Sequence, residues 1–341
     1  MINKQTEDIS PVKVHSQKEG SLLKSFGMLF RSRTLLLLLI TLGIGIVLSI
    51  VSPYFLTVGN ISTLLFGLSA DGIVTTGMVM VMIIGEIDLS VGGIMAMTGV
   101  ITGSLYLSGV NIWFSSLIGF ILGVTAGVGN GYFNAKLKIN SFIVTLAMMG
   151  LTQGIAYIFT LGSPLALGNL PSLFTNLGSG KVNNLLPYFT IIYAVIVVIT
   201  AIFIKELPVL KKMYYVGSSP SSAQLVGINV VKVKWLAFII SGALASLAGI
   251  LTVARFTVAT PQTGQNEALT AIAAAVIGGT SFTGGEGSIV GAVLGVFIVS
   301  MVDDGLILLN VSVYWQYFVN GLILISVVVA NELLHRRLEN R

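Results

Sequence analysis

The sequence of 341 residues contains no cysteine and very little charge. Without thiols there can be no disulfides, thiol catalysis or thiolate metal sites. Only 9% of the residues are charged, whereas about a quarter are charged in a typical soluble domain, so the chain cannot cover a water-facing surface. With 55% hydrophobic residues and a mean hydropathy of +0.95, it is predicted to be an integral membrane protein. Soluble enzymes and nucleic-acid-binding proteins are excluded, despite the net charge of +5.

The polar, basic start of the chain is predicted to be a cytoplasmic tail, residues 1–33. A signal peptide would place its apolar stretch nearer the start and follow it with a small-residue cleavage site. Neither pattern occurs, so the first apolar run is expected to remain as a membrane anchor. The membrane domain is predicted over 34–331, and residues 332–341 are predicted to form a second cytoplasmic tail.

Long apolar stretches dominate the rest of the chain. A helix needs about 20 apolar residues to cross roughly 30 Å of hydrocarbon. Because the hydrophobicity is continuous and not alternating, helices are favoured over a membrane β-barrel. The predicted fold class is therefore an all-α integral membrane protein, a glycine-rich packed bundle of about ten transmembrane helices. The predicted spans lie near 34–51, 61–84, 91–107, 112–133, 141–160, 188–204, 235–254, 268–283, 288–302 and 314–330.

Basic residues orient these spans, because cytoplasmic loops carry an excess of lysine and arginine. With the N-terminus inside, 16 of the 18 basic residues fall on the inner side, and only Lys181 and Arg255 fall outside. Merging the short spans 268–283 and 288–302 would place the three C-terminal arginines outside. Both termini are therefore predicted to be cytoplasmic. Arg255 is expected to snorkel to the lipid headgroups.

The two short spans and the glycines point to the core. At about 1.5 Å per residue, the fifteen residues of 288–302 reach only about 22 Å. Short, glycine-broken segments are tolerated where the backbone is buried in protein or lines a cavity, unless the limits drawn here are too narrow. Glycine also recurs every fourth residue on two helices, which favours tight helix packing over a glycine-lined passage. These glycines are Gly119, Gly123, Gly127 and Gly131, and Gly287, Gly291 and Gly295.

Few polar side chains fall within the predicted spans. Asp71, Asn130 and Gln153 are the candidates for a substrate pathway. Asp71 lies near the middle of the second span, where a wet cavity or a packing hydrogen bond is favoured over a proton or cation site. The pair Asp303-Asp304 is predicted in an outer loop, where it is available to a partner.

The inner turn GEIDLS separates the second and third spans. Asp88 and Ser90 are expected to cap the helix that follows, and Gly92 belongs to the same structural turn.

Motifs for catalysis are missing from the sequence. The string nearest to a phosphate-binding P-loop, Gly178-Ser179-Gly180-Lys181, lacks the upstream glycine and the Ser/Thr after the lysine. It also falls on the outer side of the membrane. No nucleophile–base pair or metal cluster is recognisable, so no catalytic or metal-binding residue is predicted, and the chain is not expected to be an enzyme. Any ATP that it uses must be hydrolysed by another chain.

The longest inner loop, 205–234, reads KELPVLKKMYYVGSSPSSAQLVGINVVKVK. Residues 221–226 are predicted to form a short helix after Pro220 that ends at Gly227. A short surface helix flanked by lysines suits docking to a partner, and an ordinary connecting helix is the alternative.

Within this loop, YYVGSSPSSAQLVGINV resembles the coupling segment of permeases of ATP-binding-cassette (ABC) importers in the ribose/monosaccharide class, commonly written Y-x-x-G-G-N-x-x-A-A-x-x-x-G-I-N-V. Here Ser218-Ser219 replace the usual Gly-Asn and Ser222 replaces an alanine; the short helix is expected to survive both changes. Glu86 stands where the family often has glycine. The resemblance covers nearly all of the chain after the tail, with further ordered matches in GMVMVMIIGEIDLSVGG near 77–93, INSFIVTLAMMGLTQG at 139–154, LGSP at 161–164, GGTSFTGGEGSIVGAVLG at 278–295 and VSVYWQ near 311–316.

The resemblance implies a permease subunit of an ABC importer in the bacterial cytoplasmic (inner) membrane, translocating a ribose-like pentose or a related monosaccharide. It implies a dimer with a second copy or a paralogue, and ABC ATPase subunits that use ATP and Mg²⁺. A periplasmic or extracellular sugar-binding protein is expected to dock on outer loops 161–187, 256–267 and 303–313. No cofactor is expected on this chain. The coupling residues carried over are Gly217, Ala223, Gln224, Leu225, Gly227, Ile228 and Asn229.

Two alternatives remain open. An importer of the same class could carry another small polar solute, such as a furanone-type signal, a polyol or a nucleoside; branched-chain amino-acid permeases are more distant relatives. An ion-coupled secondary transporter would need paired or repeated intramembrane acids and would work without ATP. Asp71 is the one acid placed in a predicted span, so only this residue fits that alternative.

Overall fold

The computed structural model describes residues 33–312 and, beyond them, 314–316, 318–323, 325–326 and 329. The predicted tails lie outside the described residues, apart from Arg33. The helices are α1 (Arg33–Val51), α2 (Val58–Ile83), α3 (Val91–Leu107), α4 (Ile112–Gly131, continued by a π-helical turn at Tyr132–Lys136), α5 (Ser141–Thr160), α6 (Ser172–Ser179), α7 (Tyr188–Glu206), α8 (Pro208–Ser218), α9 (Pro220–Leu225), α10 (Val230–Phe256), α11 (Glu267–Ile277) and α12 (Ile289–Leu308).

Seven of these helices, α1, α2, α4, α5, α7, α10 and α12, are long and apolar enough to cross a membrane. Shorter apolar helices, α3 and α11, occupy two further predicted spans, and helical residues between 314 and 329 fall within the tenth. The all-α membrane class is thereby confirmed. Helix α2 is the most central, because residues 72–83 are buried without a break, whereas α1, α5 and α7 expose most of their side chains.

Four short strands lie in the connections between helices. Strands β1 (Leu165–Ala166) and β4 (Val258–Ala259) pair antiparallel, with Leu165 opposite Ala259. Strands β2 (Lys181–Val182) and β3 (Leu186–Pro187) form a small hairpin. The pairing of β1 with β4 ties the connection after α5 to the connection after α10.

The two spans predicted to be short, 268–283 and 288–302, form helices of different length in the structure. Helix α11 has 11 residues, about 16 Å, and therefore crosses only part of the hydrocarbon, as expected for 268–283. Helix α12 has 20 residues, so the limits 288–302 were too narrow. Ser288 caps its start, because the Ser288 hydroxyl accepts the Gly291 N–H at 3.1 Å.

The segment 257–266 between α10 and α11 runs back into the protein beside α3. Near the outer end of α3, a Cβ on Gly103 would lie 2.8 Å from Cβ of Ala259. Near the inner end, a Cβ on Gly92 would lie 2.0 Å from the carbonyl oxygen of Gly264. Because Gly92 is about 22 Å from the outer end of α3, the segment reaches the membrane interior. We call residues 257–277 the re-entrant element; the prediction that all of 256–267 is an outer loop was wrong.

The repeated glycines lie at close helix contacts, which confirms the packing interpretation. A Cβ on Gly127 of α4 would lie 2.5 Å from the carbonyl oxygen of Phe238 on α10. A Cβ on Gly295 of α12 would lie 2.0 Å from the carbonyl oxygen of Ala274 on α11. At both contacts, any larger side chain would force the backbones apart.

Replacing Gly127 with alanine is expected to lower the thermal unfolding midpoint by several degrees. The added methyl group cannot fit against Phe238 and Gly242 without separating α4 from α10, and overpacking of this kind costs about 1–3 kcal/mol. Gly43→Ala is the matched control, since nothing lies within 4 Å of its added Cβ. Thermal unfolding of the detergent-purified variants measures the difference; equal midpoints would contradict the contact.

Candidate functional site

A short helix, α9, lies where the resemblance to a coupling segment predicts one. The hydroxyl of Ser219 accepts a hydrogen bond from the Ser222 N–H at 3.2 Å and so begins the helix. Pro220 occupies the first position, where a backbone N–H is not needed. After the helix, Gly227 has φ of +80°, a left-handed conformation that favours glycine. The expected helix is confirmed, and Ser219 caps it where the family pattern has asparagine.

The outer side of α9 is apolar and exposed. Leu225 is 89% exposed and Val226 is 75% exposed, and Gln224 beside them is also in solvent. Ala223, by contrast, is buried against the protein. Exposed apolar groups on a loop outside the membrane-crossing helices are typical of a surface that a partner covers.

Other residues of the coupling segment hold α9 in place. A Cβ on Gly217 would lie 1.8 Å from the carbonyl oxygen of Ile83 and 2.5 Å from the Gly285 nitrogen, so only glycine fits there. The side chain of Asn229 accepts the Lys232 N–H at 3.0 Å and begins α10. These two residues are therefore structural, whereas Gln224 and Leu225 face outward.

Helix α8 rests on the loop 278–288, which connects α11 to α12. The Tyr214 hydroxyl donates to the carbonyl of Gly287 at 2.9 Å, and burial raises the pKa of Tyr214 above its ordinary value, so the hydroxyl keeps its proton. The Gly285 N–H donates to the carbonyl of Ile83 at 2.9 Å. A displacement of α9 that moves α8 would therefore reach the end of α2 and the loop between α11 and α12.

A groove of about 850 Å³ runs beside α9. Lys138 and Gln224 lie on its walls, and Glu86 forms an ion pair with Lys234 there. The glutamate that departs from the family pattern thus has a partner 148 residues away in the chain.

Asp88 organises the turn between α2 and α3. It is fully buried and accepts hydrogen bonds from the Ser90 N–H at 3.0 Å, the Ser90 hydroxyl at 2.6 Å and the Ser241 hydroxyl at 2.8 Å. Asn130 donates to the Ser90 hydroxyl at 2.8 Å and to Asp88 at 3.4 Å. Ser90 does not cap α3 with its side chain, contrary to expectation, because its hydroxyl is turned to Asp88. The Asp88 network joins α3, α4 and α10.

The three predicted pathway residues therefore lie in different parts of the structure. Asn130 is fully buried in the Asp88 network and does not line the cavities around the re-entrant element. Gln153 lines one of them, and its amide donates to the carbonyl of Pro261. Asp71 lies elsewhere, beneath the outer ends of the helices, where the ring of Tyr193 packs over the neighbouring Gly72.

Asp71 belongs to a group of ionisable side chains from four helices. Arg255 of α10, Glu267 of α11 and Asp303 of α12 lie within its electrostatic reach. The Arg255 guanidinium stacks over the ring of Phe66 at 4.3 Å. Arg255 is therefore partly buried by contacts with other side chains of the protein.

The acidic pair 303–304 lies in α12 and not in an outer loop. Asn60 donates to Asp304 at 2.8 Å and Asn320 donates to Asp303 at 3.1 Å. Because these amides donate to both carboxylates, the helix can include the two acids. The acidic pair had led to the prediction of a loop. The predicted outer loop 303–313 is consequently shorter.

Three cavities surround the re-entrant element. One of about 320 Å³ lies against α12 and the helical residues near 320. A second, of about 560 Å³, includes Arg255 and Glu267. A third, of about 220 Å³, lies between α3, α5 and the re-entrant element. Gln265 lines the first and third, and Gly264 lines the second and third. Sequence reasoning missed the glutamines of this element, because the loop was placed outside the membrane.

Known proteins are similar in sequence to this chain over most of its length. Residues 60–328 match the family described as "Branched-chain amino acid transport system / permease component". The ribose import permease protein RbsC of Haemophilus influenzae is 34% identical over 308 residues, 90% of this chain and 94% of the relative. RbsC of Escherichia coli K12 is 36% identical over 307 residues, covering 89% and 94%.

A further relative is the L-arabinose ABC transporter permease protein AraH of Azospirillum brasilense, 32% identical over 295 residues, 86% of this chain and 85% of the relative. No solved structure matches. Together with the membrane-crossing helices, these matches establish that the chain is a multi-pass membrane protein and belongs to the family of branched-chain amino acid transport system permease components, alongside the ribose and arabinose ABC permeases.

Proposed function

We propose that this chain is the membrane subunit of a bacterial inner-membrane ABC importer that moves a monosaccharide, with a ribose-like pentose as the first candidate. The observation that carries the proposal is the full-length similarity to ribose permeases, about 90% of both chains. The exposed apolar side of α9 adds a surface of the kind that an ATPase subunit would cover.

In this proposal the chain pairs with a second permease copy or a paralogue. Separate ATPase subunits bind ATP and Mg²⁺, and α9 of each permease enters a cleft on the ATPase surface. A loaded sugar-binding protein docks on the outer loops. Each ligand favours one conformation of the permease pair, which is the requirement for a shift between inward and outward states.

The mechanical link runs through residues of this chain. When the ATPases close, α9 moves with them, and the contacts of Gly217 with Ile83 and Gly285 carry the motion into the bundle. Because α11 directly precedes the loop 278–288, the re-entrant element moves with it. No group on this chain needs to react chemically with the sugar or with ATP.

Copurification of the tagged chain from its native membranes tests the proposal. An ABC ATPase is expected in the purified complex, and one binding protein loaded with a pentose or hexose is expected to stimulate its ATP hydrolysis. Arms with polyols, nucleosides and furanone-type signals separate a sugar importer from an importer of the same class for another solute. A chain that purifies alone and moves solute without ATP would contradict the proposal.

One observation favours an ion-coupled transporter as the second candidate. The helices hold Asp71, Glu267 and Asp303 near one another, where the sequence had suggested a single acid. Arg255 lies in the same group, as expected of a charge that balances the acids internally. Uptake into proteoliposomes that collapses with a proton or sodium ionophore, in the absence of ATP, would select this second candidate.

A further inference from the structure

We propose that the 220 Å³ cavity between α3, α5 and the re-entrant element is a binding site for an uncharged, polyhydroxylated solute during its passage. This inference rests on the proposed function and deepens it by assigning the solute a place in the membrane. We call this space the amide cavity, after Gln153, Gln262 and Gln265, whose side chains line it.

The chemistry of the lining suits hydroxyl groups. Each glutamine amide offers two N–H donors and an acceptor oxygen, and a sugar hydroxyl both donates and accepts. The Tyr157 hydroxyl adds a fourth such group. The side chains that line the cavity include no charged residue, so a charged solute would lack a counter-charge there.

Some of this hydrogen-bonding capacity is unused by the protein. The amide N–H of Gln153 donates to the carbonyl of Pro261, and the amide oxygen of Gln262 accepts from the Thr260 hydroxyl. The side chains of Gln265 and Tyr157 make no hydrogen bond to other described residues. The volume of about 220 Å³ is far above the roughly 10–15 Å³ of cavity space that one water needs, so the cavity has room for a small solute.

The cavity lies deeper, measured along α3, than a shallow depression of the protein surface would. Gly92 and Gly264, which touch at about 22 Å from the outer end of α3, both line it. Gln262 and Gln265 are exposed on the isolated chain at this depth. Amide groups facing hydrocarbon are costly, so the open side of the cavity must face water or another protein chain.

The interruption of the helical crossing before α11 also supports a solute site at the amide cavity. Substrates of transporters are commonly held where a helix is interrupted within the bilayer, and here α11 begins directly beside the cavity. The other end of α11 adjoins the loop 278–288, which contacts α8. The amide cavity is therefore linked to α8 through α11 and through the contacts of this loop.

A cavity-filling pair of variants on α5 tests the proposal. Gly150 lines the amide cavity and Gly154 does not, yet nothing lies within 4 Å of a Cβ added to either. In proteoliposomes with the ATPase and the pentose-loaded binding protein, Gly150→Leu is expected to reduce uptake by about tenfold while stimulated ATP hydrolysis persists. Gly154→Leu is expected to transport as the wild type does. Equal uptake by the two variants would overturn the proposal.

A second variant removes hydrogen bonds without adding bulk. Gln265→Ala is expected to lower the number of sugars moved per ATP by about threefold to tenfold, and Gln316→Ala, an amide outside the cavity, is expected to leave it unchanged. Loss of stimulated ATP hydrolysis in both Gly150→Leu and Gln265→Ala would assign these residues to coupling and overturn the solute site. If the wild type itself shows no sugar-stimulated hydrolysis, the proposed function fails and not the cavity alone.

Discussion

Replacing Leu225 with glutamate is expected to remove the ATPase from the purified complex and to abolish uptake in cells. Leu225 is 89% exposed, so the change costs the isolated permease little. A leucine that becomes buried in a partner contributes about 1.5–3 kcal/mol, and a buried carboxylate without a counter-charge adds a penalty of its own. Together they should weaken association by about a hundredfold or more, measured by quantitative copurification.

Leu173→Glu provides the matched control. Leu173 is a leucine 72% exposed on α6, in a loop assigned to the opposite side of the membrane. Its variant is expected to retain the ATPase in full. If Leu225→Glu also copurifies at the wild-type level, α9 is an ordinary connecting helix and the docking surface must be sought elsewhere.

Replacing Asp88 with alanine is expected to deplete folded protein from the membrane. The change leaves the buried Ser90, Asn130 and Ser241 donors without their acceptor, and each buried group left unpaired costs about 1–3 kcal/mol. Because these donors come from α3, α4 and α10, the loss loosens three helices together. Membrane abundance and the thermal unfolding midpoint of the solubilised protein measure the effect.

The control for Asp88 is a carboxylate in the same turn. Glu86 is paired with Lys234 near the surface, and partly exposed ion pairs of this kind contribute about 0–1 kcal/mol. Glu86→Ala should therefore leave abundance close to the wild type. An Asp88→Ala protein as abundant and as stable as Glu86→Ala would show that the network does not hold the bundle together.

Local features were predictable because their causes are local. The apolar helices follow from runs of hydrophobic residues, and the bounds of α3 and α5 agree with the predicted spans 91–107 and 141–160. Helix α9 follows from a capping serine, a proline at the first position and a glycine after the end. Each of these signals acts within a few residues, so reading along the chain is enough to find them.

Expectations failed where distant residues decide the outcome. The pair Asp303-Asp304 was predicted to lie in a loop. Instead both acids lie in a helix, where the amides of Asn60 and Asn320 donate hydrogen bonds to them. Arg255 was expected to reach the lipid headgroups, and its guanidinium stacks over the ring of Phe66, which lies far away in the sequence. In each case a partner far away in the chain changes the cost of burying a charge.

The sequence by itself determined the membrane class, the helical fold, the family and the short helix α9, since hydrophobicity, capping chemistry and motif order are all properties of the linear sequence. Only the tertiary structure decided which polar residues serve the packing and which line a cavity. Asn130 and Gln153 carry the same amide group, and both fall within predicted spans. Asn130 meets Asp88 from another helix, whereas Gln153 meets a chain segment that folds back into the membrane, and long-range contacts of that kind leave no local signal.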